Sequence, residues 1–317
     1  MPEKRGSHRF KTATMGGVGI FFGFALTFAF IGAILSKYLE MNILFDLGAS
    51  LIIMFVIGIE DDLLVISPLK KMMAQLLAAA IVIVFLGIRI TTFNGFLGIY
   101  SLPYLPSLVF TFLTFVLVIN AYNLIDGIDG LAGIIAAMIC LFFGIYFLAN
   151  KEFTQVLISF ALLGSLIAFL KFNTSHKRKI FMGDTGSMVI GFVIVYQAII
   201  FLNVNNDENT IFSFNNGPVF IIAMLSFPLL DILRLFFIRI KNGKDSFKSD
   251  ENHIHTCFLD SGATHIETTI VISTITLIII FCAFLMEELN INLSMFLIVI
   301  LTIMGYLPIT FKSHYQI

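Results

Sequence analysis

Ten apolar runs, each near the length that crosses a bilayer, leave this chain of 317 residues little choice of architecture. They cover approximately 15–36, 43–59, 71–90, 106–122, 131–149, 154–171, 185–203, 217–238, 268–287 and 291–310. A spanning helix needs about 20 mostly apolar residues. Inside lipid the backbone has no water to bond to, so its N–H and C=O groups must satisfy one another within the segment, and runs of this kind must be helices. Composition agrees: 58% of residues are hydrophobic and 12% charged, against about 25% charged in a soluble domain. The expected fold is therefore an all-α, polytopic membrane bundle of about ten transmembrane helices. The longest polar stretch, 239–267, is too short for a separate domain, so residues 1–317 read as a single membrane domain.

Several function classes fall away early. A net charge of −1 gives no bulk attraction to nucleic acid. Cys140, Cys257 and Cys282 have neither disulfide-framework nor metal-ligand spacing. The first segment, MPEKRGSHRFKTATMGG, is basic but lacks the apolar core of a signal peptide. No phosphate-binding G-x-x-x-x-G-K-[ST] loop, dinucleotide-binding glycine motif or G-x-S-x-G elbow occurs.

Basic residues in short loops set the orientation. With the N-terminus inside and each run crossing once, only Lys37, Arg89 and Lys151 of the 19 lysines and arginines fall on the outer side. The same alternation puts EDD (60–62), NLIDGIDG (123–130), HKRKIFMGD (176–184) and DENHIHT (250–256) together on the cytoplasmic face, each at the end of an apolar run. Polar loops placed at random would divide between the two faces.

Within NAYNLIDGIDGLAG (120–133), Asn120, Asn123, Asp126 and Asp129 recur every third residue. On a continuous helix they would share one broad face. Two carboxylates and two amides suit Mg²⁺, which prefers oxygen ligands and keeps waters and substrate phosphates. A polar helix end in the headgroup region is the plainer reading, but carboxylates at membrane depth are costly and usually functional. Asp61 and Asp62 are adjacent, and adjacent carboxylates repel unless a cation or proton lies between them. Lys71 reads as a positive-inside anchor or as a neutraliser of phosphate. In FMGDTGS (181–187), Asp184 or Thr185 would cap the helix that follows, whose N-terminus is also a ready anion site. His253 and His255 stand two apart and cannot share a helix face, which argues against a zinc pair; as donors they would suit a diphosphate.

These blocks, taken in order, resemble the polyprenyl-phosphate N-acetylhexosamine-1-phosphate transferases of the glycosyltransferase 4 type. RGSH (5–8) with MGGVGI (15–20), GIEDDL (58–63) with KMMAQLL (71–77), NAYNLIDGIDGLAG (120–133), FNTSHKRKIFMGDTGSMVIGF (172–192) and 231–262 carry the resemblance over nearly the whole chain. It implies transfer of an N-acetylhexosamine 1-phosphate from a UDP-sugar, UDP-GlcNAc or a relative, to undecaprenyl phosphate. UMP would leave, and a cell-surface polysaccharide would be started at the cytoplasmic face of a bacterial inner membrane. It also implies Mg²⁺, or Mn²⁺ in its place, on Asn123 and Asp184. Asp61, Asp62 and Lys71 would be catalytic, the aspartates beside the attacking lipid phosphate. Asn120, Asn173, Asp126, Asp129, Phe181, His253 and His255 would bind substrate, with Phe181 stacked on uracil. A second copy of the chain is an expected partner, alongside membrane lipids. The family usually has eleven spans, one of them before RGSH, where ten are expected from the residues given, and Thr14, Thr256 and Cys257 stand where basic residues are usual. The phospho-muramyl-pentapeptide branch carries a histidine run that is absent here. A cation-coupled transporter would place its charges at the bilayer midplane, whereas here the run centres are almost free of charge.

Overall fold

The computed structural model describes residues 15–175, 177–241, 254–260 and 262–313. Among the described residues the chain forms helices and no strand. They are α1 (Gly16–Ile34), α2 (Met41–Leu64), α3 (Pro68–Phe85), α4 (Tyr104–Leu124), α5 (Leu131–Ala149), α6 (Phe153–Asn173), α7 (Gly183–Asn205), α8 (Gly217–Met224), α9 (Ser226–Lys241), α10 (Ile254–Asp260), α11 (His265–Leu285) and α12 (Ile291–Ser313).

Eight of these, α1 to α7 and α11, are long and apolar enough to cross a membrane. The protein is a multi-pass membrane protein. The expected span 217–238 is instead two helices, α8 and α9, bent by 67° where they meet. Pro228 lies in the first turn of α9, where a missing N–H costs nothing, and marks a fresh helix start within an apolar run. The tenth expected span corresponds to α12. The short α10 lies inside the stretch read as polar loop; its first N–H, on Ile254, donates to the buried Asp231 carboxylate of α9 at 2.8 Å.

The bundle is organised around α7, which is buried over most of its length. Helices α1, α2, α4 and α5 pack against it. Large apolar side chains on the outer helices, Phe22, Leu26, Phe30, Val84, Phe85 and Leu113 among them, point away from the bundle. That is the pattern of a protein whose outer solvent is hydrocarbon.

Glycine lets the first turn of α7 sit where it does. A Cβ on Gly17 would stand 2.6 Å from Gly186 Cα and 2.8 Å from the Met182 carbonyl oxygen, and closer still to Gly186 N. A Cβ on Gly58 would stand 2.5 Å from Thr185 Cα. With hydrogen there instead, α1 and α2 close on α7 backbone to backbone. Gly16 N and Gly17 N then donate to the carbonyls of Phe181 and Met182 at 2.9 and 2.8 Å.

Candidate active site

The ends of α2, α3, α4 and α7 meet at one end of the bundle and bring Asp61, Lys71, Asn123 and Asp184 into a single cluster. Lys71 Nζ lies 2.9 Å from Asp61 Oδ2, 3.3 Å from Asp184 Oδ2 and 3.3 Å from Asn123 Oδ1. Asn123 Nδ2 donates to Asp184 Oδ1 and to Ser187 Oγ, the latter at 2.8 Å. Asp61 also accepts from Ile66 N at 2.9 Å, which fixes the turn that leads from α2 to α3. Three oxygens from three helices thus surround one cationic nitrogen, and Lys71 is an ion-pair partner rather than a simple interfacial anchor.

Asp62 has a different neighbourhood. Successive residues on a helix point about 100° apart, so the two adjacent aspartates diverge and no shared cation is needed between them. Asp62 Oδ1 accepts from Asp184 N at 2.8 Å; Oδ2 accepts from Thr185 N at 3.1 Å and from the Thr185 hydroxyl. The cap expected from Asp184 or Thr185 is therefore supplied from α2, and α7 starts earlier than expected, at Gly183.

The single helical face expected for Asn120, Asn123, Asp126 and Asp129 does not form. Helix α4 ends at Leu124, and Gly130, at φ 80°, turns the chain into α5. Asn120 is joined to Gln75 of α3, with Nδ2 2.9 Å from Gln75 Oε1 and 2.7 Å from the Val116 carbonyl. Asp126, in the turn, is half-buried, and loss of water together with the Asp184, Asp62 and Asp129 carboxylates holds it well above the ordinary carboxylate range. Asp129 turns toward a second group. Its Oδ2 meets Lys179 Nζ at 2.6 Å and His265 Nδ1 at 3.6 Å, and its backbone oxygen accepts from Thr269 Oγ1 at 2.8 Å.

That second group lines a cavity of about 250 Å³ formed by Asp129, Asn173, Thr174, Ser175, Lys179, Thr264, His265 and Ile266. Asn173 holds its walls together, accepting from Gly130 N and donating to the Ile180 carbonyl at 2.8 Å. Lys179 Nζ stands 5.2 Å from the centre of the Phe181 ring. His253 and the side chain of His255 lie outside the described residues, as do RGSH (5–8) and Thr14.

Among the described residues no three His, Cys, Asp or Glu side chains gather into an all-protein metal site. Two carboxylates and an amide oxygen converge on Lys71 Nζ instead. That donor set is hard oxygen, and Mg²⁺ is usually held by one or two carboxylates completed by water and substrate phosphate.

Gln75 and Ser187 lie inside the KMMAQLL and FMGDTGS blocks, about one turn from Lys71 and Asp184, but sequence reasoning gave neither a role of its own. His265 was not singled out, although it lies within a Thr264–Glu267 capping box readable as a helix start.

A model of glycosyl transferase family 4 matches residues 44–202, half of the chain. The chain belongs to glycosyl transferase family 4. The matched segment contains Asp61, Asp62, Lys71, Asn123, Asp126, Asp129 and Asp184, so the whole cluster around Lys71 lies within it. The "Undecaprenyl-phosphate alpha-N-acetylglucosaminyl 1-phosphate transferase" of Haemophilus influenzae is 28% identical over 282 residues, 87% of this chain and 75% of the relative. The protein of the same name from Pasteurella multocida is 30% identical over 268 residues, 83% of this chain and 71% of the relative. A Bacillus subtilis protein, "Probable undecaprenyl-phosphate N-acetylglucosaminyl 1-phosphate transferase", is 30% identical over 312 residues, 95% of this chain and 81% of the relative. As a member of glycosyl transferase family 4 the protein is a glycosyl-1-phosphate transferase, and its polar cluster at one end of a lipid-embedded bundle is its candidate active site.

Proposed function

We propose that the protein transfers N-acetylhexosamine 1-phosphate, N-acetylglucosamine 1-phosphate foremost, from its UDP-sugar to undecaprenyl phosphate. UMP is released and the lipid-linked sugar starts a cell-surface polysaccharide. The reaction takes place at the cytoplasmic face of the bacterial membrane. The observation that carries this reading is the convergence of Asp61, Asn123 and Asp184 on one cationic point at one end of the helical bundle, in a chain whose relatives are named for this transfer.

The attacking group is a phosphate monoester, largely ionised at neutral pH, so the step asks for positioning and charge neutralisation more than for a base. Asp184 and Asn123 would hold Mg²⁺, with Asp61 beside them; Mn²⁺ would serve in its place. When bound, the metal supplies positive charge against the diphosphate of the donor. Lys71, ion-paired with Asp61 and Asp184 in the same cluster, would turn its charge to the phosphate of a bound substrate. The cavity lined by Asp129, Asn173 and Lys179 would take the nucleoside end of the donor, and the nearby ring of Phe181, which faces Lys179 at 5.2 Å, would offer it a stacking surface. The buried centre of α7, 188–202, carries no acidic or basic side chain, which favours an interfacial enzyme over an ion path through the bundle.

The test incubates purified protein, Mg²⁺ and undecaprenyl phosphate with a panel of UDP-sugars that includes UDP-GlcNAc and UDP-MurNAc-pentapeptide, and measures UMP and the lipid product. Lipid-dependent UMP release with UDP-GlcNAc supports the proposal. Turnover with the muramyl donor alone moves the protein to that branch, and release that does not depend on the lipid refutes the acceptor.

A further inference from the structure

We propose that Asp62 and Thr185 are positioning residues: Asp62 acts on the reaction through the first turn of α7 and does not touch the reacting atoms. The inference rests on the transferase reading above. Both Asp62 oxygens are occupied, by the N–H of Asp184 and by the N–H and hydroxyl of Thr185. The first N–H groups of a helix have no partner within it. Met182, the residue before α7, brings no side-chain cap of its own. A carboxylate from α2 fills that need, and it sits at the positive end of the helix dipole, where negative charge is favoured.

The bond to Asp184 N is the consequential one. It fixes the backbone of the residue whose carboxylate reaches Asn123 and Lys71. Gly58, one turn before Asp62, makes the grip possible, because Thr185 occupies the space a side chain would take. The adjacent aspartates therefore divide the work. Asp61 faces the cluster where phosphate chemistry is expected, and Asp62 holds the frame that presents Asp184 to it.

Four variants test this: Asp62→Ala, Asp62→Asn, Thr185→Val and Thr185→Ser. The first readout is hydrogen exchange of metal-free protein over 181–192, which is independent of turnover. Losing a cap of about 1–2 kcal/mol speeds exchange about 5- to 30-fold, so Asp62→Ala and Thr185→Val should both show faster first-turn exchange while Thr185→Ser stays near wild type. The second is UMP release. Loss of a partner that orients a metal ligand typically costs about 10- to 100-fold, so kcat should fall by that much in Asp62→Ala and the Mg²⁺ needed for half-activity should rise. Asp62→Asn keeps one acceptor oxygen and should recover part of both readouts together, with both limbs of the pH profile intact. Unchanged exchange in Asp62→Ala overturns the proposal. So does an Asp62→Asn enzyme no better than Asp62→Ala that has lost a limb of the pH profile, since a proton acceptor is not replaced by an amide. Should Asp62→Ala fail to fold, the Thr185 pair carries the same comparison. Should the wild type release no UMP from any donor, the transferase reading fails while the exchange arm still decides the role of Asp62.

Discussion

Gly17→Ala is the sharpest perturbation of the frame that holds the candidate site. The added methyl would meet the backbone of Gly186 and Met182, which cannot swing aside as a flexible side chain would. Overpacking of this kind costs about 1–3 kcal/mol. Moving α1 outward also strains the two bonds from Gly16 N and Gly17 N to the Phe181 and Met182 carbonyls, each worth about 0.5–1.5 kcal/mol. Alanine returns about 1 kcal/mol as the better helix former. The net is a destabilisation of about 1–5 kcal/mol. Gly19, two residues on, is the internal control: a Cβ there meets nothing within 4 Å, so Gly19→Ala should be neutral or slightly stabilising. The chain has no tryptophan, but Cys140 and Cys257 are buried, so a thiol-reactive dye reports thermal unfolding in detergent. Gly17→Ala should melt well below wild type and turn over poorly even at temperatures where it is folded, because Asp184 moves with the first turn of α7. Equal melting of Gly17→Ala and Gly19→Ala would refute the close-packing argument.

Two further outcomes follow from the electrostatics. Burial and the nearby carboxylates hold Asp126 above the ordinary carboxylate range. Its contribution therefore favours the folded state at low pH and is lost as pH rises through the interval between the ordinary and the raised value. In EDTA at pH 7, Asp126→Asn should raise the melting temperature, and the gain should fade as the pH is lowered to about 4; a gain that grows on acidification contradicts this. Lys179→Met removes the 2.6 Å partner of Asp129, a charge-assisted bond worth about 1.5 kcal/mol or roughly tenfold in binding. The KM for the UDP-sugar should rise by about that factor with a smaller change in kcat, and steady-state kinetics that show only a kcat loss would remove Lys179 from the nucleotide pocket.

The spans were legible because lipid allows the backbone so few forms, and the alternation of spans was enough to bring EDD, NLIDGIDG and FMGD to one end. What the sequence concealed was local backbone geometry. Helix α4 ends at Leu124 and Gly130 opens α5, which breaks the helical periodicity that had placed Asp126 and Asp129 beside Asn123. Asp61 and Asp62 read as a repelling pair, although adjacent helical positions diverge and each finds its own donors. The break between α8 and α9 was masked by continuous apolarity, with Pro228 its only local sign. The cap on α7 comes from Asp62, 122 residues away, and no short-range rule could have found it.

The divalent-cation-dependent phosphotransfer site proposed for Asp61, Asn123 and Asp184 is tested most directly by Mg²⁺-dependent release of UMP by Asp184→Asn, set beside wild type at matched membrane insertion and melting temperature. Release should fall to background across the Mg²⁺ titration while the protein still inserts and folds. Undiminished turnover by Asp184→Asn would contradict the proposal.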